Sequence, residues 1–309
     1  MRLPSSSLLL ASFGLLMAAC HPGNRFNQGL GLGGDDSGVT TADGGGTTDG
    51  GGTTDGGGTT DGGGTGDGGS NDGGSNSGGT ECPNLYHPIG TAGWTKTFDA
   101  MFSFTGEAAA GTATESGMGA TTLPDGSPGY AYRDAITTSA ESYDTTVYVA
   151  CNYGGDDGMY VTGWEGTYDM SFFGTPMAYT VDATLSVPRK YLPAGDEIGA
   201  VGTWTYAYNL DIMATDSSGS PTDSPYDTNG TYTEAGFQDL TLFDGTSVHA
   251  YKLVNTYTQV GTTGSKSGYI EQWWVKGLGL VKETHVDMTT GSTIASKTLT
   301  AYTGLSVVE

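Results

Sequence analysis

Thr203-Trp204-Thr205-Tyr206-Ala207-Tyr208-Asn209-Leu210-Asp211-Ile212-Met213 alternates without a break. Trp204, Tyr206, Tyr208, Leu210 and Ile212 share one side, and Thr203, Thr205, Ala207, Asn209 and Asp211 the other. A period of two, free of Gly and Pro, predicts a strand with one face buried. The aromatic row Trp204-Tyr206-Tyr208 has the chemistry of a platform for a sugar ring. Its continuation through Leu210 and Ile212 makes it a core lining instead.

The same chemistry of Thr, Tyr, Val, Trp and Gly extends in both directions. It predicts strands at 145–153, 158–169, 178–187, 230–237, 248–259, 269–275, 278–288 and 293–303, with weaker signals at 94–104 and 130–138. Breakers separate them: Pro124-Asp125-Gly126, Gly154-Gly155-Asp156-Asp157-Gly158, Pro193-Ala194-Gly195, the stretch 216–225, and Thr289-Thr290-Gly291. No segment shows a helical period with caps. The expected fold is all-β and antiparallel, a curved sheet, a sandwich or a half-barrel.

This β region contains similar stretches in two places. Ile89-Gly90-Thr91-Ala92-Gly93-Trp94-Thr95 parallels Ile198-Gly199-Ala200-Val201-Gly202-Thr203-Trp204-Thr205. Ala131-Tyr132-Arg133 parallels Ala250-Tyr251-Lys252, and Glu165 through Asp169-Met170 parallels Glu283 through Asp287-Met288. Order and spacing agree, so the expected layout has a first β repeat at 82–191 and a second at 192–309.

Upstream the composition changes. All 18 tyrosines and all 5 tryptophans lie at or beyond Tyr86, and from Asp43 to Thr80 only Asp, Gly, Thr, Ser and Asn occur. Without large apolar side chains, nothing offsets the entropy of ordering such a chain, so 21–81 is expected to be a disordered spacer. A Gly-Gly-Gly-Thr-Thr-Asp unit places an Asp every six residues, at 43, 49, 55, 61 and 67. Calcium-binding β-helix repeats need an apolar residue per turn, which these units lack. Gly29-Leu30-Gly31-Leu32-Gly33-Gly34 matches a dinucleotide fingerprint by letter only, with no strand before it and no helix after it.

The first 19 residues combine Arg2, the apolar run Leu8 to Met17, and Ala18-Ala19, which reads as a secretory signal too short to span a bilayer. Met17-Ala18-Ala19-Cys20 resembles the lipobox of bacterial lipoproteins. That resemblance implies cleavage before Cys20, a diacylglyceryl thioether on Cys20 and a further N-linked palmitate-type chain. Two or three acyl chains hold a protein stably at a membrane where one does so only marginally. His21 stands where an Asp would signal inner-membrane retention, which implies the outer membrane. The Thr/Gly/Asp tether resembles those of deltaproteobacterial lipoproteins. Trp273 to Lys282, with Gly277 and Gly279 between, and Gly202-Thr203-Trp204-Thr205-Tyr206 resemble a W-x-x-x-G-x-G-L-V-K hairpin and a G-x-W-T-Y strand of uncharacterised bacterial β-rich lipoproteins. Lys276-Gly277 is placed for positive φ, and Gly279 for a bulge or a close approach.

Net charge is −23, and the acid excess runs through both the spacer and the 228 residues beyond it. Nucleic acid and basic-patch docking on anionic lipid are both disfavoured. Of three cysteines, Cys20 is assigned to lipid, leaving Cys82 and Cys151 as a disulfide candidate in an oxidising compartment.

A reaction centre is hard to find. His87, His249 and His285 lack zinc-ligand spacing, and neither G-x-S-x-G nor S-x-x-K occurs. Gly261-Thr262-Thr263-Gly264-Ser265-Lys266-Ser267 reads as a hairpin loop and not a phosphate loop. Asp223, Asp227, Asn229 and Gly230 form an acidic stretch without the EF-hand pattern, open at most to weak calcium binding. Glu165 and Glu283 occupy matched places, which is a mild reason to watch them for glycoside chemistry, although solvent-facing strand charges are the preferred explanation. No cofactor and no metal is implied. The leading expectation is a membrane-anchored lipoprotein displaying a non-catalytic β domain that binds a protein or glycan. A carrier of an apolar ligand or lipid is the alternative, and a surface polysaccharide hydrolase the third reading.

Overall fold

The computed structural model describes residues 85–102, 108–139, 141–172, 175–195, 197–200, 202–262 and 264–308. The leader, Cys20, the spacer and Cys82 lie outside the described residues. Twelve strands follow in order: β1 (Thr95–Phe102), β2 (Ala109–Thr122), β3 (Pro128–Thr138), β4 (Glu141–Cys151), β5 (Met159–Phe172), β6 (Thr175–Leu192), β7 (Thr203–Asp216), β8 (Pro221–Thr241), β9 (Ser247–Gly261), β10 (Gly264–Val275), β11 (Gly279–Asp287) and β12 (Thr293–Thr303). Each pairs antiparallel with its sequence neighbours, and β1 pairs with β12 from Thr95↔Thr303 to Phe102↔Ala295. The sheet therefore closes into a barrel. The expected all-β antiparallel class holds, with full closure in place of a sandwich or half-barrel; joining the first strand to the last leaves no edge unpaired.

Strand β7 follows its alternation. Tyr208, Leu210 and Ile212 are buried inside, Trp204 and Tyr206 turn the same way, and Thr203, Thr205, Asn209 and Asp211 are exposed. Trp204 stacks on Tyr232 at 5.2 Å between ring centroids, and Tyr206 lies at 5.8 Å from Tyr208, so the row lines the core. Hairpins turn on the expected breakers. Asp125 Oδ1 accepts from the Ser127 amide at 2.9 Å, and Gly126 takes a φ of 86°.

Two segments depart from expectation. Strand β2 is built from Ala, Gly, Thr and Ser and carries no aromatic or β-branched apolar residue to announce it. Its Gly117 is required by packing, because a Cβ there would stand 2.1 Å from Trp94 Nε1. The stretch 216–225, expected to be a break, supplies the start of β8. There Pro221 and Pro225 alternate with inward Ser224 and Tyr226. The acidic stretch Asp223, Asp227, Asn229 is thus the outer face of a strand and not a loop, so it has no calcium-loop geometry.

The repeated motifs fall on strands six apart. Trp94 immediately precedes β1 and Trp204 lies in β7; Tyr132 is in β3 and Tyr251 in β9; Glu165 is in β5 and Glu283 in β11. Strand β6 ends at Leu192, leaving six strands on either side of that residue within one barrel.

Residues 85–94 close one end of the barrel. Ile89 and Trp94 are fully buried, and Trp94 Nε1 donates to the Pro88 carbonyl at 2.9 Å. The Gly277 amide donates to the Leu85 carbonyl at 2.8 Å, and the Val308 amide to the Lys276 carbonyl at 3.0 Å, so both ends of the described chain are seated on the β10–β11 hairpin. Gly277 has a φ of 82°, and a Cβ would meet the Ser306 carbonyl at 2.1 Å. Beside it, β10 and β11 shift register between Trp273 and Trp274, with Val281 the extra residue. Gly279 pairs with Val275 at a φ of 82° and makes the close approach, a Cβ there standing 3.3 Å from Lys96 Nζ and Pro88 Cδ.

Candidate functional site

The barrel's interior carries charge. Lys96 on β1, Glu115 on β2, Asp134 on β3 and Lys297 on β12 occupy inward positions on four adjoining strands and are nearly inaccessible to solvent. Lys96 Nζ lies 2.6 Å from Glu115 Oε2 and donates to the Leu280 carbonyl at 3.1 Å. Lys297 Nζ lies 2.7 Å from Asp134 Oδ1 and 3.6 Å from Glu115 Oε1. The Tyr143 hydroxyl donates to Asp134 Oδ2 at 3.0 Å. Two cations and two carboxylates thus cancel within one cluster, the condition under which buried charge is tolerated. Burial lowers the Lys96 ammonium below its ordinary value, and the Glu115 carboxylate partly restores it.

Glu283 on β11 forms a second centre. Gln272 Nε2 donates to its Oε2 at 2.7 Å, and His285 Nε2 lies 2.9 Å from its Oε1. Burial alone would raise this carboxyl; His285, Lys297 and Gln272 outweigh it and hold Glu283 well below the usual carboxylate range.

Toward the closed end, Arg189 on β6 is buried among tyrosines. Its guanidinium carbon lies 5.8 Å from the Tyr206 ring centroid, and Tyr232, Tyr208 and Tyr132 face it as well. Burial pushes the Tyr132, Tyr191 and Tyr206 phenols well above their ordinary value. His87, from the closing segment, shares a 2.7 Å hydrogen bond between its Nδ1 and the Tyr191 hydroxyl. Burial, reinforced by Lys96, holds the His87 imidazole well below its usual range and therefore neutral.

The outer wall is polar and mostly acidic along several strands. Asp99, Arg133, Glu165, Asp182, Asn209, Asp211, Asp223 and Asp227 are exposed on it, interleaved with Thr112, Thr114, Thr137, Thr167, Thr184 and Thr205. Apolar side chains interrupt it: Met101, Met118, Val187, Met213, Phe237 and Val260 are exposed, and Trp273 also faces outward but is covered by two lysines. Lys252 Nζ and Lys282 Nζ stand 4.8 and 4.7 Å from its ring centroid, and its Nε1 donates to Gln238 Oε1 at 3.0 Å. A groove of about 340 Å³ runs nearby between Leu240–Phe243 and strands β11 and β12.

Of the residues singled out from sequence, Glu165 and Glu283 do not meet. Glu165 is exposed outside and accepts from the Tyr148 hydroxyl at 2.6 Å, whereas Glu283 is sealed inside. Their matched places in the two halves do not put them on one face of the wall, so they form no carboxylate pair, and Glu283 is not a solvent-facing charge. Cys151, at the end of β4, is disulfide-bonded, while Cys20 and Cys82 lie outside the described residues. Among the described residues no three His, Cys, Asp or Glu side chains gather as a metal ligand set. Sequence reading missed the interior ions. Their signal was present, because Lys297 sits in phase with Ala295 and Leu299, and Asp134 with Tyr132 and Ile136. Charged residues in the buried phase of several strands mark a polar lumen.

Neither a protein-family profile nor a characterised protein sequence matches the chain. Two solved structures are similar to it. One is a candidate lipoprotein from Parabacteroides distasonis, 13% identical, covering 72% of this chain and 100% of its own length with a TM-score of 0.42. The other is a candidate exported protein with a YmcC-like fold from Bacteroides fragilis, 8% identical, covering 72% of this chain and 97% of its own with a TM-score of 0.32.

Proposed function

We propose that this chain is an outer-membrane lipoprotein, anchored through acylated Cys20, that displays a water-standing β-barrel as a non-catalytic binding module for a protein or glycan. The observation that carries the reading is the chemistry of the outer wall. A barrel that crosses a membrane turns an apolar band outward, and a charge in that band is costly. Here Asp99, Arg133, Asp182, Asp211 and Asp227 face outward along several strands. Attachment then has to come from outside the barrel, and Met17-Ala18-Ala19-Cys20 supplies a means.

The binding role is supported by where the described charges are spent. Glu115, Asp134 and Glu283 are each engaged by a cation or an amide inside the barrel. Outside, Phe237 and Phe243 remain 40% and 51% exposed, large apolar groups suited to be contact anchors. The separation of exposed Glu165 from buried Glu283 removes the carboxylate pair on which the hydrolase reading leaned.

Metabolic labelling with an alkyne fatty acid, followed by fractionation, tests the anchor. Label should appear on the wild-type chain in the membrane fraction and vanish with Cys20→Ser, which is released. Unlabelled, soluble wild-type protein would refute it. In-cell cross-linking compared between the wild type and Phe243→Ser tests the display role, which fails if no cross-linked species depends on that face.

A further inference from the structure

Three hydrogen-bond donors near the closed end have no acceptor. The Tyr232 hydroxyl, Asn255 Nδ2 and Trp274 Nε1 are buried without a partner, on residues that are 0%, 1% and 2% exposed. Leaving a buried donor unpaired forfeits the hydrogen bond it made to water, so folded proteins rarely accumulate such groups without reason.

Two of the three are direct neighbours, and the third approaches them through Tyr191. Tyr232 on β8 and Asn255 on β9 are direct register partners, and both point inward. The Tyr206 hydroxyl donates to Asn255 Oδ1 at 3.0 Å, which orients the amide, and the Tyr206 ring lies 5.5 Å from that of Tyr232. Arg189 stands over the same Tyr206 ring at 5.8 Å. The Trp274 ring lies 6.2 Å from that of Tyr191, which faces both Arg189 and Tyr232. The orphaned groups are thus a phenol O–H, an amide N–H and an indole N–H, with a guanidinium beside them. Glu283 also faces Tyr232, but it is engaged by Gln272 and His285.

A constellation of donors calls for a ligand made of acceptors. Water accepts two hydrogen bonds and brings two protons that need acceptors of their own. A carboxylate brings only lone pairs, in a plane that matches a guanidinium fork. We propose that the barrel interior holds a small carboxylate anion among Arg189, Tyr232, Asn255 and Trp274, beneath the segment 85–94. This assigns an internal ligand and is independent of how the chain is anchored or what its outer wall binds.

The test uses the full chain, dialysed into chloride at pH 7, with acetate as the probe. Ion chromatography of the filtrate from denatured protein measures any carboxylate carried from the cell. Thermal scans in sodium acetate and sodium chloride at equal ionic strength measure binding. The expected result is either release of about one carboxylate per chain, or an acetate-specific rise of about 3 °C at tenfold over Kd. Either effect should disappear in Tyr232→Phe. That variant, relieved of an unpaired hydroxyl, should melt in chloride no lower than the wild type. Arg189→Lys keeps the charge but loses the fork, and should weaken the acetate effect severalfold. Neither release nor an acetate shift in the wild type, or an effect surviving in both variants, would overturn the proposal.

Discussion

Substituting Glu115 by Leu puts the buried ion cluster to a direct test. Glu115 is the only carboxylate within 4 Å of Lys96 among the described ion pairs, at 2.6 Å, and Lys297 reaches it at 3.6 Å while keeping Asp134 at 2.7 Å. Leu fills a similar volume, so the main loss is charge compensation. The cluster goes from neutral to one surplus positive charge beside Trp94 and Phe98. Breaking a buried pair from one side costs about 3–5 kcal/mol. For a domain of this size that corresponds to a fall in Tm of roughly 6–20 °C. Removing both partners, as Glu115→Leu with Lys96→Met, eliminates the desolvation penalty together with the attraction. The double variant should therefore lie within about 1–2 kcal/mol of wild type, well above the stability expected if the two substitutions acted independently.

The single variant also carries a pH signature. Lys96 is already lowered by burial, and losing the carboxylate that partly restores it lowers it further. The unfolded chain then binds a proton that the folded chain does not, so stability should rise with pH between the folded value and the unfolded one near 10.4. Denaturant unfolding followed by tryptophan fluorescence at several pH values gives all of these quantities. If Glu115→Leu alone costs less than about 1 kcal/mol, or if the double variant is worse than the single, the cluster is solvated and the argument fails.

Three further expectations rest on other parts of the barrel. Glu283 is held below the unfolded carboxylate value, so its contribution is fully present above about pH 4.3 and is lost as pH falls through the lower folded value. Glu283→Gln should therefore be less stable than wild type at pH 7, with the gap narrowing below pH ~4 in parallel melts. Gly277→Ala forces a Cβ into a positive-φ position 2.1 Å from the Ser306 carbonyl. It should cost about 1–3 kcal/mol and raise amide exchange at 305–308, read by hydrogen–deuterium exchange. For Cys151 we propose Cys82 as the partner, which non-reducing peptide mapping should recover as one linked pair. Opening a loop of that length should cost about 4 kcal/mol on reduction, measured by denaturant titration.

The amount legible from sequence follows from which residues carry a signal. Strand β12 reads at its true bounds because Thr, Ile, Leu and Tyr alternate between clear turns. Strand β2 is nearly silent, since Ala, Gly and Ser have no strand preference, and at Gly117 the reason for a small residue is the bulk of the neighbouring Trp94. The start of β8 is misleading, because Pro and Asp usually punctuate. Pro225 sits opposite Asp211 in the ladder, and its neighbours Ser224 and Tyr226 turn inward. Closure of β1 on β12 is invisible locally, being a contact between residues about 200 positions apart. The lumen was the larger miss. Asp134 and Lys297 fall in the apolar phase of their strands, but Lys96, Glu115, Asp134 and Lys297 lie on four strands spread over some 200 positions, and only the barrel brings them into one cluster.

Ring closure also limits the ways in which molecules of this kind can associate. Every strand has a hydrogen-bonded neighbour on both flanks, although β6 and β7 pair only from Tyr179↔Asp216 to Leu185↔Leu210. A foreign strand or a second copy therefore has no full-length edge among the described strands to extend, and main-chain pairing is open to it only where the seam between β6 and β7 parts, at 186–192 and 203–209. Over the rest of the wall recognition is left to side chains, so the sequence can alter a partner's grip residue by residue while the scaffold stays the same.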